Sequence, residues 1–170
     1  MSTLISSVPV VWSAMFGFIS AAGAAATPAV DVFPAEIIQY EPGSYIVVNS
    51  DIPDQSWNIE AFGYQFIESF AVTGICTVFD GNDATLDTIT TIMADTYSLY
   101  TNLVMLPIVE NRGGNNPNGV LGITGNPHPF EIIPGYAHYS NDVGNIGGGE
   151  GGWQGVLSWS FNIRSYISPT

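Results

Sequence analysis

Apolar residues recur at helical spacing near the start of the chain, where Val8, Val11, Trp12, Met15 and Ile19 follow the i, i+3, i+4, i+7, i+11 pattern. That period gathers side chains on one side of an α-helix. Ser7 supplies an N-cap before Val8, and Pro9 suits the first turn, so the pattern predicts an amphipathic helix over residues 8–26. Thr27 and Pro28 break it. Two short apolar segments follow, at 31–40 and 45–49, separated by Glu41-Pro42-Gly43-Ser44. That tetrad is turn chemistry: proline presets φ and glycine tolerates positive φ. Two strands are expected there, then a loop over 51–58 around Pro53.

The clearest strand signal spans 63–79, where Phe70, Val72, Cys76 and Val78 alternate with Ser69, Ala71, Thr73 and Thr77. Period two over that length means a long strand with one buried face. Gly74 inside it marks a bulge or a close approach of another chain segment. The strand ends at Asp80-Gly81-Asn82-Asp83, read as a turn that caps a helix over 84–102, with Asp83 and Asp87 where the helix dipole favours anions. Leu86, Ile89, Met93, Tyr97, Tyr100 and Leu103 fall on one side of that helix.

Beyond it, 104–110 reads as a strand which Pro107 confines to a sheet edge. Residues 111–119 form a polar Gly, Asn and Pro loop, 131–140 a strand interrupted by Pro134-Gly135, and 141–152 a second, glycine-rich loop. The chain closes on 153–167, where Leu157, Trp159, Phe161 and Ile163 oppose Val156, Ser158, Ser160, Asn162 and Arg164. This second long strand matches the 70–79 strand in length and pattern and is expected to pair with it antiparallel. One domain of α+β class follows, covering 1–170, with a largely antiparallel sheet and two helices on one face.

Charge changes the functional picture more than the fold. The chain has no lysine, and Arg112 and Arg164 are its two cations against fifteen carboxylates, for a formal net charge of −13. Nucleic-acid affinity rests on Lys and Arg displacing counterions from phosphate. Two arginines roughly fifty positions apart cannot build that footprint, and anionic membranes are disfavoured for the same reason. The same surface lets DNA pass close by without sticking. The apolar run from Val8 to Ala26 imitates a signal peptide or membrane span. No Lys or Arg precedes it, and Ser13, Gly17, Ser20 and Gly23 dilute it, so a helix packed on the domain is expected instead. Cys76 is the sole cysteine, which removes any intrachain disulfide.

Candidate chemistry is sparse. His128 and His138 lie ten positions apart without a third ligand at zinc spacing. Asp80, Asn82, Asp83 and Asp87 imitate a calcium loop, but glycine comes second rather than sixth and no glutamate stands twelfth. No G-x-S-x-G elbow is present, and Cys76 sits mid-strand with no histidine near it in sequence. Gly147-Gly148-Gly149-Glu150 lacks the lysine of a phosphate loop. No catalytic, cofactor-binding or metal-binding residue is therefore assigned, and no enzyme is expected. Fifteen carboxylates still leave a glycosidase-type pair as a competing reading.

The order of elements carries a resemblance. An N-terminal helix and a strand pair precede Glu68-Ser69-Phe70-Ala71-Val72, then Asp80-Gly81-Asn82-Asp83 and a helix. A strand, a long loop and a terminal strand introduced by Trp153-Gln154-Gly155-Val156 complete it. This order resembles the tail-terminator proteins of long-tailed siphophages, particularly those of actinobacterial phages, in which an E-S-F strand, a G-x-x-D turn and a helix recur. It departs from them in lacking arginine in the 84–102 helix and in a long 144–152 insertion. The resemblance implies a virion protein assembled in the host cytoplasm: a homo-oligomeric ring, commonly hexameric, at the head-proximal end of the tail tube. Its partners would be the tail tube protein and a neck or head-closure protein, with genomic DNA passing through unbound. A head-closure protein or a tube subunit is the alternative.

Overall fold

The computed structural model describes residues 3–35, 43–59, 65–80, 85–112, 119–144 and 152–170. Helix α1 (Val8–Ala25) opens the chain and β1 (Asp31–Phe33), β2 (Gly43–Val48), β3 (Ser56–Ile59) and β4 (Phe66–Asp80) follow. Then come α2 (Leu86–Leu99), a π-helical turn at Tyr100–Met105, α3 (Leu106–Asn111), a 3-10 turn at Val120–Gly122, β5 (His128–Gly144) and β6 (Gly152–Ile167). The α+β class holds, with α1 and α2 on one face of a largely antiparallel sheet of order β1-β2-β4-β6-β5.

The frame is the β4–β6 pair. Fifteen residues of β4 match β6 in unbroken antiparallel register, from Phe66 opposite Ile167 to Asp80 opposite Trp153. Alternation decides this register, because a slip of one residue would turn Phe70, Val72, Trp159 and Phe161 towards water. Those four are buried with Cys76, Leu157 and Ile163 under the helices. Gly74 lies opposite Trp159, and an added Cβ there would overlap both the indole ring and the Val47 carbonyl oxygen. The glycine is a close approach, not a bulge, since the register runs through it unshifted.

One edge of β4 is occupied in series. β2 covers Gly74 to Phe79 and β3 covers Phe66 to Ser69. Between them Asn49 N donates to Thr73 O (2.9 Å), and Ala71 N reaches Pro53 O at 3.4 Å. The loop expected over 51–58 is accordingly shorter. Trp57 and Ile59 alternate with polar neighbours and return as strand β3. β1 stops at Phe33, before Pro34, and pairs parallel with β2, so the expected 31–40 strand is cut short. Residues 36–40, with Glu41 and Pro42 of the expected turn, lie outside the described residues.

α1 turns Val11, Met15, Ile19 and Gly23 inwards, the stripe its spacing predicts. Its outer side is also apolar or small, with Val10 39% exposed, so it is less amphipathic than expected. By length and composition alone it would qualify as a membrane span. It packs on the domain, against α3, β1 and the π-helical turn, and Trp12 Nε1 donates to Asn49 O at 2.7 Å.

The strand expected over 104–110 is helix. Val104, Leu106 and Ile108 alternate in sequence, but Val104 and Ile108 are fully buried and four apart, which is one helical turn. Short apolar runs fit both periods, and here the helical one wins. Pro107 falls in the first turn of α3. In an unbroken α-helix its ring would clash with the carbonyl four residues back. The wide π turn just before it shifts that bonding and relieves the clash. Thr85, not Asp83, caps α2, its side chain accepting from Thr88 N at 3.1 Å. Residues 81–84 and 113–118 lie outside the described residues. Of the glycine-rich loop, 141–144 and Gly152 are strand, and 145–151 lie outside the described residues. At the other end of the fold Thr3 and Thr170 pair through both backbone bonds, at 2.9 and 3.1 Å.

Candidate functional site

The residues first considered for chemistry are not brought together. His128 and His138 are both exposed on β5, opposite Tyr166 and Ser158. Among the described residues no group of three or more His, Cys, Asp or Glu could hold a metal ion. Cys76 is fully buried, and burial pushes its thiol well above the ordinary range, with the Trp159 indole a smaller opposing influence. The thiolate is the nucleophile, so a neutral buried thiol is inert. Asp80 ends β4 and Asp87 lies in the first turn of α2; Asn82 and Asp83 of the calcium-like stretch lie outside the described residues.

Glu68 is the residue that sequence reasoning missed. It is fully buried on β4, where carboxylates are rare unless satisfied. Ser6 Oγ donates to its Oε1 (2.6 Å) and Gln55 Nε2 to the same oxygen (2.7 Å). Ser7 donates to Oε2 from both its backbone N (2.7 Å) and its Oγ (2.5 Å). Ser7 therefore does not cap α1 with its own side chain. The carboxylate from β4 takes that place, at the helix end where negative charge is stabilised. With both oxygens occupied, Glu68 is an anchor tying α1 and the β2–β3 connection to the central strand. The glutamate of Glu68-Ser69-Phe70 was legible only as a motif letter, because nothing in sequence marks a carboxylate as buried.

Two kinds of surface remain. The first is the sheet boundary. Where β2 gives way to β3, the sheet runs β3-β4-β6-β5, with β3 and β5 as its two edges. All four residues of β3 are exposed, Ile59 to 74% and Trp57 to 42%. β5 is 17 residues long and, among the described residues, pairs only with β6. Pro129, Pro134 and two register shifts interrupt its first half. From 137 to 144 it runs in unbroken register with no proline or bulge, the devices that normally blunt an edge. Ile133 and Tyr136 stand exposed beside the second shift.

The second surface is a groove of about 730 Å³ where the end of α1 and β1 face α2 and the π turn. Ala26, Val30, Leu99 and Leu103 line it, with Asp31 and Asp95 on its two sides. Two carboxylates share its wall, as the carbohydrate-hydrolase reading requires. Both carboxylates are exposed, however, whereas a carboxyl acting as general acid relies on a dehydrated setting.

No protein-family model matches the chain, and no curated protein matches it.

Proposed function

We propose that this chain is a non-catalytic structural subunit of a phage tail, closing into a ring at the head-proximal end of the tail tube. On the tail-terminator resemblance the ring is hexameric and joins the tube to the neck or head-closure protein, while genomic DNA passes through. The observation that carries this reading is a pair of dissimilar sheet edges, open among the described residues: β3 with Trp57 and Ile59, and β5 with Ile133 and Tyr136. Open edges with exposed apolar side chains are a liability in a solitary protein. A ring of identical subunits needs two different complementary patches on each copy, and these edges are different from one another. Net charge supports the passage of DNA, since a lining drawn from a chain of −13 repels phosphate rather than holding it.

Light scattering and negative-stain images of the purified chain, alone and with the tail tube protein, test the reading. Closed rings are the expected result. Ile59→Lys and Ile133→Lys are each expected to leave a folded subunit that no longer closes. Monomers at every concentration, with or without the tube protein, would overturn the proposal, and extended filaments would point to a tube subunit instead.

A further inference from the structure

Self-association of a chain with charge −13 works against its own repulsion, so the placement of its two cations is informative. Arg164 is engaged within the subunit: its Nη1 lies 3.3 Å from Glu131 Oε2, across the β5–β6 ladder. Arg112 is different. It stands exposed at the C-terminal end of α3, where its backbone closes the last turn by donating to Val109 O. Among the described residues its guanidinium meets no carboxylate.

The acidic groove is the mirror image of that situation. Asp31 and Asp95 face it, exposed and without an ion-pair partner among the described residues. Its remaining lining, Ala26, Val30, Leu99 and Leu103, suits the flat, weakly hydrated guanidinium and its aliphatic stem. Lysine is absent from the chain, so the two arginines are the permanent cations a second copy can offer, and Arg164 already faces Glu131.

Within one subunit no ion pair joins Arg112 to either carboxylate. Asn102, near one end of the groove, and Arg112 sit ten positions apart on one helical run, roughly 15 Å along its axis. Groove and arginine are thus two separate patches, the arrangement a head-to-tail contact demands.

We infer that the groove between α1–β1 and α2 receives Arg112 of a neighbouring copy, which sets its guanidinium between Asp31 and Asp95. This inference rests on the ring reading and names a contact within it. The pair would fix which copy sits beside which, because only one pairing of these patches brings opposite charges together.

The test starts from the wild-type assembly state, measured by analytical ultracentrifugation. Arg112→Glu and Asp95→Arg are each expected to weaken subunit association at least about tenfold, with circular dichroism and melting temperature unchanged. The combination of the two is expected to recover association, which a merely destabilising effect would not do. As a second readout, Asp95→Cys together with Arg112→Cys should give a ladder of disulfide-linked oligomers under oxidation. The two Cα atoms in one copy are too far apart to bridge, and Cys76 is buried out of reach. Wild-type assembly that persists undiminished in both single charge variants, with no ladder, overturns this contact and leaves the ring standing. Loss of tube-protein binding by Asp95→Arg, with the ring intact, would give the groove to that partner and also overturn it. A wild type that never associates overturns both.

Discussion

β6 has two neighbours, and they hold it differently. On its inner side β4 matches it over fifteen residues without a shift. On its outer side β5 shifts register twice, at Pro129/Glu131 and Pro134/Ala137, and exposes Ile133 and Tyr136. The inner ladder is fixed by what both strands bury, so its register is a property of the subunit. The outer strand is held by one ladder and, among the described residues, its far side is unpaired, so its surface is available to something else. Stability and assembly should therefore respond to different substitutions.

The largest effect is expected from Trp159→Ala, which empties the centre of the inner pair. Loss of a fully buried indole should cost about 3–5 kcal/mol, seen as a fall of roughly 10 °C in melting temperature. Glu68→Ala comes next, at about 3 kcal/mol, because four donors, among them a helix-terminal N–H, lose a charged acceptor in the interior. A melting temperature unchanged by that variant would remove the anchor role.

A third test uses the buried thiol. Burial raises Cys76 above its ordinary value of about 8.5, so above that pH the unfolded chain gives up a proton that the native chain keeps. The native state then binds more protons, and stability, complete below about pH 8.5, should fall by about 1.4 kcal/mol per unit as pH rises further. Cys76→Ala should flatten that slope in denaturant titrations between pH 8.5 and 10. Smallest in stability are Ile133→Thr and Tyr136→Thr on β5, within about 0.5 kcal/mol. Their effect should appear instead as weaker association, and a large drop in melting temperature with assembly intact would break the distinction.

The inner pair was legible from the chain alone. Alternation of Phe70, Val72, Cys76 and Val78 against Leu157, Trp159, Phe161 and Ile163 predicts both strands and their pairing, because one buried face demands a strict period. The buried stripe of α1 was legible for the same reason. Helix α3 was not: a proline in a short apolar run argues for an edge strand unless a π turn precedes it, and no residue type announces a π turn. β3 was hidden too, since a four-residue strand with both faces exposed has no pattern to show. Of the proposed contact surfaces, the open edge of β5 was not placed from sequence: Pro134-Gly135 marked only an interruption, and the edge expected at Pro107 is helix. The groove was out of sight, because Asp31 and Asp95 meet only through the packing of α2 beside β1.

Thr3 and Thr170 sit side by side, joined by a reciprocal pair of backbone bonds. A peptide linker of a few residues between them would make the polypeptide circular without disturbing any strand. Such a closed chain loses freedom mainly when unfolded, so it should melt at a higher temperature. It also offers a way to open the backbone at a new position while keeping every neighbour in place.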